Sequence, residues 1–143
     1  MTLIQHVKSG GKFEEIYRYS RLIRIGDWIM SSGTAGRNYV TREISADVTG
    51  QVHQAIANLT RALEPLGASV KDIVHIRVFI SSQDYLNEAL EALATYFEGF
   101  DPVHAIHCGP LPGGEEVKIE LEITCFMPES ADIKREWIVA APK

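Results

Sequence analysis

Residues 117–126 alternate without interruption. Val117, Ile119, Leu121, Ile123 and Cys125 fall on one side, and Lys118, Glu120, Glu122, Thr124 and Phe126 on the other, because side chains of an extended chain switch sides at every residue. The pattern predicts a strand with one buried face. Residues 102–108 read as a second strand, and the Pro/Gly-rich run from Gly109 to Gly114 joins the two, so they are expected as a hairpin. Two earlier strands are predicted over 17–25 and 27–32, turning at Gly26-Asp27. Tyr19, Arg21, Ile23 and Ile25 share one side of the first, and Trp28, Met30 and Ser32 one side of the second. A weaker strand lies near 3–7. Another covers 70–81, with Val74, Ile76, Val78 and Ile80 on one side and His75, Arg77 and Phe79 on the other.

Between these stretches the period changes from two to between three and four. Val48, Val52, Ala55, Ile56, Leu59, Ala62, Leu63 and Leu66 make one face of a helix, with Ser45 or Asp47 as N-cap and Gly67 as C-cap. A second helix over 83–99 presents Leu86, Ala89, Leu90, Leu93, Tyr96 and Phe97 inward and ends at Asp101-Pro102. Asn58-Leu59-Thr60 has the form of a glycosylation sequon, but inside a helix it reads as chance. In the tail, Trp137-Ile138-Val139 is apolar enough to pack on the domain or on a neighbour. The order strand, strand, strand, helix, strand, helix, strand, strand is α+β, with both helices covering one sheet face. The other face then carries His75, Arg77, Glu120, Glu122, Trp28 and Met30. Such a mixture of charge and large apolar groups is expected to be covered by further copies of the chain.

Composition narrows the function classes. The 143 residues suit one domain, 1–143, and 45% hydrophobic with 23% charged is an ordinary globular balance. A net charge of −5 counts against a nucleic-acid binder. The chain has no apolar run of the roughly 20 residues that span a bilayer, and its start lacks the pattern of a secretory signal. With only Cys108 and Cys125 there is no disulfide framework, so a reduced, cytoplasmic setting is expected. Histidine and cysteine lack zinc-site spacing, so no metal is expected.

The residues that carry chemistry are few. Glu120 is either a carboxylate that orients or deprotonates water or an ion-paired surface group; Glu122, on the same side, reads as structural. His104 is either an acid/base or anion-binding histidine or an interface residue, and His107 should face the opposite way. Arg77 either binds an acid group or pairs with Glu120 or Glu122. Cys108 shares a strand side with His104 and Ile106 and either lines a cleft or is a small thiol in packing. Tyr19 and the loop Ser31-Ser32-Gly33-Thr34-Ala35-Gly36 complete the set, its glycines allowing close backbone approach to a ligand.

Several short motifs in this order resemble the reactive-intermediate deaminase family, also called YjgF-like, RidA-like or endoribonuclease L-PSP. They are Tyr19-Ser20-Arg21, Gly26-Asp27-Trp28-Ile29-Met30-Ser31-Ser32-Gly33-Thr34-Ala35-Gly36, Leu66-Gly67-Ala68-Ser69, Asp72-Ile73-Val74, Val78-Phe79-Ile80 and Val117-Lys118-Ile119-Glu120-Leu121-Glu122. The resemblance implies a chorismate-mutase-like α+β fold, with a mixed six-stranded sheet, two helices on one face, and a homotrimer with clefts between subunits. It implies a hydrolase (deaminase) that acts on small enamines or imines and needs no cofactor. Matched residue by residue, Glu120 takes the place of the family's water-handling glutamate, Tyr19 of its tyrosine and Gly33 of its pocket glycine. Ile106 and its neighbours are expected to bind substrate through backbone N–H groups. The family's Pro-x-Arg reads Pro102-Val103-His104 here, one residue closer to the Leu-Pro pair, and an asparagine of the second helix falls near Leu90. His104 or Arg77 would then hold the substrate's carboxylate. The alternative is a non-catalytic trimer that binds a small carboxylate or a partner; a ribonuclease, suggested by one family name, is disfavoured by the acidic charge.

Overall fold

The computed structural model describes residues 1–130 and 132–140. Its elements are β1 (Ile4–Val7), α1 (Lys12–Ile16), β2 (Leu22–Ile25), β3 (Trp28–Ser31), β4 (Thr34–Ala35), α2 (Val48–Leu63), β5 (Ile73–Ile80), α3 (Leu86–Phe97), β6 (Val103–Cys108) and β7 (Ile119–Phe126). The helices form where the apolar period is helical. Asp47, not Ser45, caps α2, accepting from Gly50 N at 2.6 Å. Gly67 ends the following 3-10 turn at φ 72°, a left-handed position that costs glycine nothing. The first long strand is shorter than expected, because residues 12–16 coil into α1 and the chain enters the ladder only near Arg21.

The sheet is mixed and runs β1-β2-β3-β7-β5-β6, with β4 also on β7, which makes seven strands where six are expected. The extra one continues β3 along the same edge of β7: Met30 pairs with Thr124, and, past a break, Thr34 pairs with Leu121. The expected hairpin of the last two strands is not formed. β5 lies between them, parallel to β6 and antiparallel to β7. The connection from β6 to β7 straddles the end of β5, where Gly109 N donates to Ile80 O and Ser81 N to Lys118 O, each at 3.0 Å. A helix must follow a strand that is to be rejoined in parallel, and α3 provides that crossover between β5 and β6.

Partners in register share a sheet face. Ile76, Val78 and Ile80 of β5 stand with Ile123, Leu121 and Ile119 of β7, all buried under α2 and α3. A bulge between Ile73 and His75 puts Ile73, rather than the expected Val74, into that core. On the open face, Glu120, Phe79 and His107 form one row, and Glu122, Arg77 and Ala105 the next. Ile4, Ile25, Trp28 and Met30 continue this face across β1, β2 and β3 and stay exposed. Trp28 leans on Phe126 with ring centroids 5.1 Å apart.

Two buried amides of α2 tie the irregular segments to the core. Gln51 Nε2 donates to Ser45 O and Glu116 O, and its Oε1 accepts from Lys118 N, each at 2.8 Å. Asn58 Nδ2 donates to Ala35 O at 3.1 Å and to Arg37 O at 2.9 Å, which fixes β4 against the helix. Burial of Asn58 also accounts for the sequon, since a side chain 3% exposed presents no acceptor for a glycan. Asn58→Ala strands both carbonyls and should lower the urea-unfolding free energy by about 1–3 kcal/mol; a change near zero would show that β4 does not depend on this clamp.

Candidate active site

The site is built at the break between β3 and β4. Ser31 Oγ accepts from Ile123 N at 2.8 Å, and Ser32 Oγ donates to Ser20 O at 2.7 Å, so the chain leaves the ladder here. Gly33 follows, and the Glu120 side chain folds over it. A Cβ on Gly33 would stand 2.9 Å from Glu120 Cδ and nearer still to a carboxylate oxygen. Glycine is required for space, so that a carboxyl group can lie directly on the backbone. Glu120 is half-buried, and this burial raises its pKa; Glu122 adds to the rise and Arg21 opposes it.

Arg21 and Glu14 form the wall beneath. Both are buried, at 6% and 2% exposure. Arg21 Nη1 donates to Gly33 O at 2.6 Å and to Thr34 Oγ1 at 3.1 Å, and Nη2 lies 3.6 Å from Glu14 Oε2. Glu14 also accepts from Ser9 N at 2.9 Å and from the Ser9 hydroxyl. The Tyr19 ring lies 5.6 Å from the Arg21 guanidinium carbon. Burial raises the Tyr39 pKa, Arg21 opposes the rise, and Glu14, Tyr19 and Glu120 add to it, which places Tyr39 in the same cluster. The sequence reading missed Glu14 and Tyr39, and saw Arg21 as a position on a strand face and in the Tyr19-Ser20-Arg21 motif, without a role in the site. The one available signal was a charged residue set directly beside the apolar run Leu22-Ile23.

Glu120, Gly33 and Tyr19 therefore come together with Arg21. Arg77 lies on the Glu120 face, as its strand side predicts, but is ion-paired with Glu122 at 2.8 Å. His104, Ile106 and Cys108 share one side of β6, as expected. They are in register with Ile76, Val78 and Ile80 and so point to the helix side of the sheet, away from Glu120 in the same chain. The reason is the strand order: with β5 inserted between β6 and β7, parity along β6 is set by β5. His104 instead borders a pocket of about 280 Å³ with Ile76, Leu90, Leu93, Phe97 and Asp101. His107 lies on the Glu120 face, stacked on Phe79 at 5.2 Å. Cys108 is exposed and free; Cys125 is buried, with its thiol pushed up to about 12 mainly by burial. Among the described residues no group of three His, Cys, Asp or Glu side chains could hold a metal ion, and no helix is long and apolar enough to cross a membrane.

Comparison with known proteins follows the same outline. The family model described as endoribonuclease L-PSP matches residues 11–127. The chain is 32% identical over 108 residues to a 2-iminobutanoate/2-iminopropanoate deaminase of Escherichia coli, covering 73% of this chain and 83% of that one. It is 29% identical over 110 residues to a RutC family protein of Pyrococcus abyssi, covering 76% and 85%. Among solved structures, a member of the YjgF/YER057c/UK114 family from Mycobacterium tuberculosis superposes with TM-score 0.79 at 26% identity, over 87% of this chain and all of that one. The YjgF gene product of E. coli gives TM-score 0.68 at 28% identity, over 76% and 87%.

Two measurements test the geometry. Gly33→Ala should destabilise the protein by about 1–3 kcal/mol through overpacking against Glu120. In a Glu120→Ala background that cost should at least halve, and strict additivity would remove Glu120 as the colliding group. The second concerns pH. A folded pKa raised above the ordinary 4.5 means that the native state holds the Glu120 proton more tightly than the unfolded chain. This contribution is fully present below the ordinary value and is lost as pH rises through the folded one. Relative to wild type, Glu120→Gln should gain stability between about pH 4 and pH 7, read as urea midpoints; an unchanged difference would rule out a raised value.

Proposed function

The chain belongs to the endoribonuclease L-PSP family, of the YjgF/RidA type, and on that premise we propose that it hydrolyses small enamines or imines to a carbonyl compound and ammonia. The observation that carries this reading is the Glu120 carboxyl, half-buried and lying on the Gly33 backbone. The deaminase name of relatives such as the E. coli protein supports the substrate class, a 2-imino acid or its enamine tautomer.

Glu120 takes a proton from water as the water oxygen bonds to the C=N carbon and the π pair moves to nitrogen. The same carboxyl returns the proton to nitrogen, giving a carbinolamine; it then carries the hydroxyl proton to the amine nitrogen as the C–N bond breaks and the C=O bond forms, and ammonia leaves. Burial that raises the Glu120 pKa makes its carboxylate a stronger base toward water. Backbone N–H groups beside Gly33 orient the substrate, and Tyr19 covers it. No cofactor is needed, since the C=N carbon is already electrophilic.

His104, Ile106 and Cys108 enter this scheme only across a subunit boundary, because in one chain they point to the other side of the sheet. A homotrimer that covers the exposed Ile4, Ile25, Trp28 and Met30 face would bring the β6 and α3 edge of one subunit toward the Glu120 of the next. The histidine in place of the family's arginine also favours a second reading, a trimer that binds a small carboxylate without turning it over.

Ammonia release from freshly generated 2-aminoacrylate separates the two. Wild type should release it above the uncatalysed rate, and Glu120→Gln should be slower by about 10²–10⁴-fold. No release from any imine by the intact assembly would leave binding without turnover as the function.

A further inference from the structure

A cavity of about 270 Å³ is lined by Tyr19, Arg21 and Glu14 together with the start of α1, and the hydrolase reading assigns it no role. Its lining brings Lys12, Tyr19, Arg21, Tyr39 and Arg42 together with a single carboxylate, Glu14. The whole chain has a net charge of −5, so three converging cations run against the general balance. Glu14 does not neutralise them freely, because it already accepts from the Ser9 amide and hydroxyl.

Arg21 carries the argument further. Its Nη1 has two oxygen acceptors, Gly33 O and Thr34 Oγ1. Its Nη2 has only the long contact of 3.6 Å to Glu14. Its Nε has no hydrogen-bond partner among the described residues, although the side chain is 8% exposed. The Nε–Nη2 edge is the edge through which a guanidinium binds a carboxylate with two parallel hydrogen bonds. A buried N–H without an acceptor is costly, and such groups in native proteins are normally satisfied. Arg21 is among the residues that line the cavity.

We propose that this cavity receives the carboxylate of the small-molecule substrate, held by the unpartnered edge of Arg21 and by Lys12 and Arg42, so that Arg21 takes the anchoring role that His104 does not fill. The proposal rests on the hydrolase reading for the identity of the ligand, but the binding itself does not require turnover. Arg21 also holds the Gly33 carbonyl, and thereby links the acid end of the ligand to the backbone on which Glu120 lies. Lys12 and Arg42 are exposed and take no part in the core, which makes them safe positions to change.

The test is calorimetric titration of the native protein with 2-oxobutanoate, the stable keto acid expected from an imino acid of that length, with its neutral amide and with inorganic phosphate. The keto acid should bind saturably and the amide should not. Lys12→Ala/Arg42→Ala should weaken the keto acid by about tenfold or more, while Arg61→Ala, an exposed position of α2, keeps the wild-type affinity. Equal affinity in the double variant, no saturable binding of the keto acid, or binding of phosphate alone overturns the proposal. The two readings fail separately. Charge-dependent binding without ammonia release upholds the cavity and removes the hydrolase; ammonia release undiminished in the double variant does the reverse.

Discussion

A carboxyl group lies on a glycine backbone, and most of the local structure follows from making room for it. Gly33 has no side chain because Glu120 occupies the space one would fill. The strand breaks at that point, and β4 resumes on the same edge of β7 beyond it. Ser31 takes the β7 amide that the ladder would otherwise have used. Asn58 and Gln51 reach out of α2 to hold the flanking segments, and Arg21 holds the Gly33 carbonyl from below. Each of these polar groups is buried or nearly so, and each has a partner that would be left unsatisfied by its removal.

The second constraint is the two-sided sheet. One face is sealed by α2 and α3 and consists of branched aliphatic side chains. The other carries Glu120, Glu122, Arg77, His75, Trp28 and Met30 in the open. The Arg77–Glu122 pair neutralises the middle of this face directly across two strands, while the cation that acts on Glu120 is Arg21. Burial and Arg21 act on Glu120 in opposite directions, and the burial is the stronger.

Legibility in the sequence followed the range of the interactions. The alternation over 117–126 gave the inward and outward sides of β7 correctly, and the helical periods of α2 and α3 were equally plain, because each depends only on residues a few positions apart. Val74 was misplaced because a single-residue bulge reverses parity and leaves no mark in the hydrophobic pattern. Glu14 was invisible: it lies in a five-residue helix too short to show a period, and its partner Arg21 is reached through the tertiary fold. His104, Ile106 and Cys108 were assigned to one strand side correctly, yet that side proved to be the helix side.

The sequence by itself determined which residues alternate and where the two long helices run, and it pointed to a carboxylate-bearing strand beside a histidine-bearing one as the candidate site. It determined these because propensity, capping and burial periodicity are local. Only the tertiary structure decided that β5 separates the last two strands, that His107 rather than His104 shares the Glu120 face, and that Arg21 and Glu14 stand under the site. Strand order and buried ion pairs join residues far apart in the chain, and nothing in the spacing of either partner records the other.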